Sequence, residues 1–318
     1  MAEFRQRGRA ADIHDGTVTS KLETTSVRHP AGRHVDVGGH RLWVETQGRG
    51  DRVVLLAGLG PAGSHVVFHP HFTPLADSVE VVYVDLYGRG RSDVPADLRE
   101  ITFAGDVADV ARLLDEIGPS HVYGFSYGGL VAQAVALDHP DLVRSLVLAN
   151  SLHSPEMWQL NHENINREIA NQAPEVWERI QQLRREGVPS TDPRMQEQFA
   201  VHARLVRFFN SDNAGLLATE PGARNVELYP IFCGADVDFV IGGEIARIPD
   251  FRPRLHELRM PLLVLAGRHD RALYPALQRQ ILDFAPNARL RFLERSGSFG
   301  HVEEPATVIS LVRDFVSG

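Results

Sequence analysis

From about residue 33 onward, short apolar runs rich in β-branched residues alternate with longer stretches whose apolar positions recur every three to four residues. Residues 34–37, 41–45, 52–56 and 80–85 read as strands, with the first two closed into a hairpin by Gly38 and Gly39. Residues 103–117 read as a helix with Val107, Val110, Leu113 and Leu114 on one face, leading into a strand at 121–124. A helix at 128–139 feeds a strand at 145–149. The next such runs come only at 261–266 and 289–293, with helices at 276–284 and 305–316. Strands alternating with helices predict an α/β protein built on a mostly parallel sheet.

The interval 151–254 is too long for a bare loop, and it carries apolar residues at helical spacing: Val176, Trp177, Ile180 and Leu183, then Phe199, His202, Val206 and Phe209. It reads as a mostly helical insertion. Residues 1–32 are polar and aperiodic and read as a mobile arm. The expected organisation is therefore an arm at 1–32, a core from 33–150 and 255–318, and an inserted cap at 151–254.

Composition narrows the function classes. With 43% hydrophobic and 23% charged residues the chain is a folding sequence, neither disordered nor low in complexity. Lys and Arg total 33 against 41 Asp and Glu, a net charge of -8 that offers no general attraction to nucleic acid or anionic lipid. The longest apolar run, 53–63, is interrupted by glycines and too short for a membrane span. The basic N-terminus is followed by no apolar stretch, which predicts no export signal. The single cysteine, Cys233, excludes an internal disulfide and a Cys-rich zinc site and suits the cytoplasm.

The candidate chemistry sits at strand ends. Gly124-Phe125-Ser126-Tyr127-Gly128 fits G-x-S-x-G and joins a strand to a helix, the context in which a serine hydroxyl is pushed out above the sheet. A serine needs an adjacent base and an acid to orient that base. Asp270 follows the strand at 261–266 and His301 follows the strand at 289–293, giving the order Ser126, Asp270, His301. His269 in place of Asp270 would leave His301 unexplained. His65, His69 and His71 raise a metal site, but no carboxylate is interleaved and Pro70 interrupts them, so no metal is expected. Gly88 and Gly90 lack the third glycine of a dinucleotide fingerprint, so no cofactor is expected.

These motifs resemble the α/β-hydrolase superfamily over residues 33–318, together with Asp85-Leu-Tyr-Gly-Arg-Gly-Arg-Ser-Asp93 and His139-Pro140-Asp-Leu-Val-Arg-Ser-Leu-Val147. The resemblance implies an eight-stranded sheet with a helical cap inserted after the sixth strand. It also implies an oxyanion hole made by the backbone amides of Tyr127 and Leu59, the latter in the loop Ala57-Gly-Leu-Gly-Pro61. Gly58-Leu-Gly-Pro-Ala-Gly63 and Phe72-Thr-Pro-Leu-Ala76 are similar to the proline iminopeptidase-like branch. That branch implies an amine-binding carboxylate in the cap, here Asp238, although Arg271 beside Asp270 would repel an ammonium group. Trp158 and Phe299 are the apolar candidates for contact with a small-molecule substrate. The expected activity is hydrolysis of a small ester, lactone or amide through an acyl-enzyme, with an aminopeptidase as one case. Two alternatives stay open: an acyltransferase or cyclase, and a small-molecule receptor that retains the triad. Epoxide and haloalkane hydrolysis would call for aspartate at position 126.

Overall fold

The computed structural model describes residues 28–234 and 242–318. Most of the expected arm and the Asp238 position lie outside the described residues. The first elements are β1 (Gly32–Asp36), β2 (Arg41–Gly48), β3 (Arg52–Leu56) and β4 (Glu80–Val84), then α1 (Phe103–Ile117), β5 (Ser120–Phe125), α2 (Tyr127–Asp138) and β6 (Val143–Ala149). Helices α3 (Pro155–Gln172), α4 (Pro174–Arg185), α5 (Pro193–Arg207) and α6 (Leu228–Cys233) follow. The chain closes with β7 (Leu262–Gly267), α7 (Pro275–Phe284), β8 (Ala288–Leu293), α8 (Gly300–Glu303) and α9 (Pro305–Val316).

The eight strands form one sheet in the order β1-β2-β4-β3-β5-β6-β7-β8, antiparallel where β2 meets β1 and β4 and parallel elsewhere. Period-two alternation explains its two faces. Val54, Leu56, Val82, Val84, Val122 and Leu148 pack under one set of helices, while Val53, Leu55, Val81, Tyr83, Tyr123 and Val147 pack against Phe68, Phe72 and α9. Helix α1 begins where the Thr102 side chain accepts from the Gly105 amide, and ends at Gly118, whose φ of +91° lets the chain reverse. No described helix is long and apolar enough to cross a membrane.

The parallel strands β4, β3, β5, β6, β7 and β8 all end on one side, and the segments after β3, β5, β7 and β8 carry Leu59, Ser126, Asp270 and His301. Between β6 and β7 the described chain is helical or irregular.

Candidate active site

Ser126 stands at φ 51° and ψ -117°, a left-handed conformation that side chains rarely adopt, in the one-residue joint between β5 and α2. The turn is held from both sides: the Ser126 amide donates to Ala149 O at 3.0 Å, and the Ser151 hydroxyl donates to Ser126 O at 3.0 Å. Glycine is required around it. A Cβ on Gly128 would lie 2.1 Å from Leu56 O, and one on Gly129 would lie 2.1 Å from Ser151 Oγ.

The loop after β3 comes close to the same turn. A Cβ on Gly58 would lie 2.4 Å from the Tyr127 amide nitrogen, so the Leu59 and Tyr127 backbones share one small region. A buried cation ties these segments together. Arg89 donates to Pro61 O at 2.8 Å and to both oxygens of Asp106 at 2.6 and 2.9 Å, and the Tyr127 hydroxyl donates to Asp106 at 2.5 Å.

Asp270 is buried beyond the end of β7. Its Oδ1 accepts from the amides of Ala272 and Leu273 at 2.8 and 2.9 Å, and its Oδ2 accepts from the Asn150 side chain. Burial pushes its pKa up to about 6, opposed by Arg207 and by these donors.

The structure does not bring His301 to this pair. His301 sits at the start of α8 with its Nε2 at 3.2 Å from Val67 O, which makes that nitrogen a proton donor. Its ring packs among Phe125, Phe68, Phe72, Phe299 and His71. Burial, then the His71 charge, hold its pKa down near 3. The expected role of His301 as base therefore has no geometric basis, because the turn before α8 places a different side chain beside Asp270. That side chain is Ser298. Its hydroxyl lies near enough to favour the Asp270 carboxylate, yet it has no partner at hydrogen-bond distance. His269 is exposed and stacked on Phe209 at 4.2 Å.

Ser126, Leu59 and Ser298 open into one cavity of about 760 Å³, also lined by Trp158, Phe208 and Phe299. Trp158 and Phe299, the expected apolar contacts, line this cavity. Sequence reasoning missed Ser298, Asn150 and the arginines Arg204, Arg207 and Arg224, which also line it. Among the described residues, the Arg207 guanidinium has no hydrogen bond or ion pair, and burial lowers its pKa against the attraction of Asp270. Glu197 and Asp212 line the cavity as the acidic counterparts.

The histidines set aside as a metal site are split by the fold. His71 turns to Leu216 O, whereas His65 and His69 meet His29 and Glu45, so the carboxylate missing between them in the sequence comes from β2.

The alpha/beta hydrolase family matches residues 53–311. A proline iminopeptidase of Heyndrickxia coagulans is 27% identical over 299 residues, covering 89% of this chain and 97% of that protein. A segment of the polyketide synthase ThaQ of Burkholderia thailandensis is 31% identical over 284 residues, 86% of this chain but 12% of that protein. The crystal structure of a proline iminopeptidase from Mycobacterium smegmatis superposes with a TM-score of 0.72 at 22% identity, over 90% of this chain and 98% of that one. With its sheet order, its serine joint and a match over most of its length, the chain belongs to the alpha/beta hydrolase family and is similar to its proline iminopeptidase-like branch.

Proposed function

We propose that the chain binds a small, largely apolar molecule bearing an anionic group over Ser126, and that Ser126 takes up its acyl group from an ester or lactone. The observation that carries this reading is the strained Ser126 joint on the floor of the 760 Å³ cavity, with the Leu59 and Tyr127 backbones beside it. In this mechanism the Ser126 hydroxyl attacks the carbonyl carbon as its proton passes to solvent water, the Leu59 and Tyr127 amides stabilise the oxyanion, each by about 3 kcal/mol, and its collapse breaks the ester C–O bond and releases the alkoxide, which takes a proton from water. Arg207 holds the anionic group. Trp158, Phe208 and Phe299 exclude water, and the helical stretch 151–254 serves as the cap that selects the substrate in a cytoplasmic setting.

Turnover is slow in this reading, since His301, the imidazole that would join Asp270 to Ser126, turns to Val67 O instead. An alcohol of low pKa or a strained lactone can leave without assistance, but an amine cannot leave without a proton from a general acid. The aminopeptidase case loses support on that ground, and also because Arg204, Arg207 and Arg224 oppose an ammonium group. The unpartnered Ser298 hydroxyl favours one second reading, a receptor in which the bound molecule is held and never cleaved.

Intact-protein mass after incubation with a nitrophenyl ester separates the two. An acyl adduct on wild type that is lost in Ser126→Ala, with slow release, supports the esterase. Saturable binding of anionic ligands without any adduct supports the receptor.

A further inference from the structure

Behind the loop after β3, four side chains from three separate segments converge. His29 comes from the residues before β1, Glu45 from β2, and His65 and His69 from the turn following the Leu59 loop. Glu45, His65 and His69 are buried and His29 is nearly so. His29 Nδ1 lies 2.9 Å from Glu45 Oε1, His65 Nε2 lies 3.2 Å from the same oxygen, and His69 Nε2 lies 3.2 Å from Oε2. The two ring nitrogens of His29 and His65 face each other at 3.4 Å.

The outward nitrogens of two of these rings are each paired with a carboxylate. His65 Nδ1 lies 2.7 Å from Asp85 Oδ1, and His29 Nε2 lies 2.8 Å from Glu220 Oε2. A carboxylate accepts, so each outward nitrogen bears a proton, and in the neutral form each ring turns a lone pair inward. With both rings neutral the two lone pairs face each other and Glu45, and a cation held among them, either a proton or a metal ion, removes the repulsion. His69 donates to Glu45, as do Trp43 Nε1 at 2.9 Å and Arg91 at 3.1 Å.

We propose that His29, Glu45, His65 and His69 form a closed, structural zinc site. The donor set, three imidazoles and one carboxylate, is one that zinc takes in four-coordinate form. Donor atoms about 2.0–2.1 Å from a tetrahedral ion stand roughly 3.3 Å apart, close to three of the four measured pairs, at 3.2, 3.2 and 3.4 Å, with the His29 to Glu45 pair shorter at 2.9 Å. All four donors lie within 4.8 Å of one another, so the widest separation closes by a shift of about an ångström or so. Asp85 and Glu220 are the outer carboxylates that commonly fix such histidines. With the imidazoles neutral, Glu45, Asp85 and Glu220 stand against Arg91 among the described residues, leaving two negative charges for a divalent ion. With four protein ligands there is no open position for substrate, so the ion's work is to pin the segment before β1 and the turn after the Leu59 loop onto β2.

The test uses the full chain without a histidine tag, stripped with a chelator and then titrated with zinc against a chromogenic competitor. One zinc per chain retained through desalting, a raised Tm and the visible spectrum of tetrahedral cobalt after Co(II) substitution are expected. His29→Ala should weaken binding at least about 100-fold, and Glu220→Gln, which keeps every ligand, by about 10- to 100-fold. Both side chains lie at the edge of the cluster, 14% and 24% exposed, so these variants keep the fold. Failure of the wild type to retain zinc, or affinities equal to wild type in both variants, would overturn the proposal.

Discussion

Replacing Ser298 by histidine should turn a slow protein into a fast esterase. Ser298 lines the same cavity as Ser126, and its hydroxyl neighbours the Asp270 carboxylate. An imidazole there can donate from Nδ1 to Asp270 and turn Nε2 toward Ser126, and the 760 Å³ cavity offers room for the larger ring. A positioned general base contributes about 10²- to 10⁴-fold, or roughly 3–5 kcal/mol of barrier. The assay is kcat/KM on a nitrophenyl ester for wild type, Ser298→His and Ser298→Ala, with Ser126→Ala subtracted as background. The Ser298→His profile should also rise with pH through an ionisation somewhat above histidine's ordinary value of about 6.5, because Asp270 favours the imidazolium. A folded Ser298→His protein whose rate stays within about tenfold of wild type would refute the reasoning, since even the low end of general-base catalysis exceeds that.

His301→Ala should leave the rate of fluorophosphonate labelling at Ser126 within about twofold of wild type, while its lost packing costs on the order of 2–4 kcal/mol in a denaturant melt. A loss of several powers of ten in labelling would mean that the segment before α8 rearranges to bring His301 to Ser126. Arg207→Met should lower kcat/KM for esters bearing a carboxylate by about 10- to 100-fold relative to neutral analogues, measured in parallel. Asp270 should leave a pH signature in stability. Its folded pKa of about 6 lies above its ordinary value of 3.8, so the folded state holds this proton more tightly. Stability should therefore fall as pH rises from about 4 through 6, by about 3 kcal/mol for a shift of this size, and Asp270→Asn should abolish the difference.

The parts of this molecule written in local periodicity could be read from the chain. Residues 52–56 and 103–117 emerge at the expected positions because burial on a strand or a helix face leaves a repeating pattern. Ser126 was legible for a related reason, since the glycines that its joint requires are fixed at nearest-neighbour distance. The side chain next to Asp270 was not. Within 297–301 the chain order offers one histidine and one serine, and which of them faces the cavity depends on a turn pinned by contacts far away in sequence. The Ser298 amide donates to Arg207 O at 2.7 Å, across the whole interval from α5 to β8, and the nearer Glu303 accepts from the Gly297 amide at 2.7 Å. The grouping of His65 and His69 with Glu45 and His29 was hidden for the same reason. The His69–Glu45 and His65–His29 contacts span 24 and 36 residues and form only once β2 lies beside β4.

Arg89 has a dynamical consequence. One guanidinium grips the carbonyl of Pro61 and the carboxylate that receives the Tyr127 hydroxyl, so the Leu59 loop and the start of α2 are fastened to a common post although they are more than sixty residues apart in the chain. When the sheet flexes, the two segments are displaced together and the gap between their amides changes little. Loosening Arg89 would let that gap breathe while the sheet stays intact, so its signature would be a spread of oxyanion geometries within a folded protein.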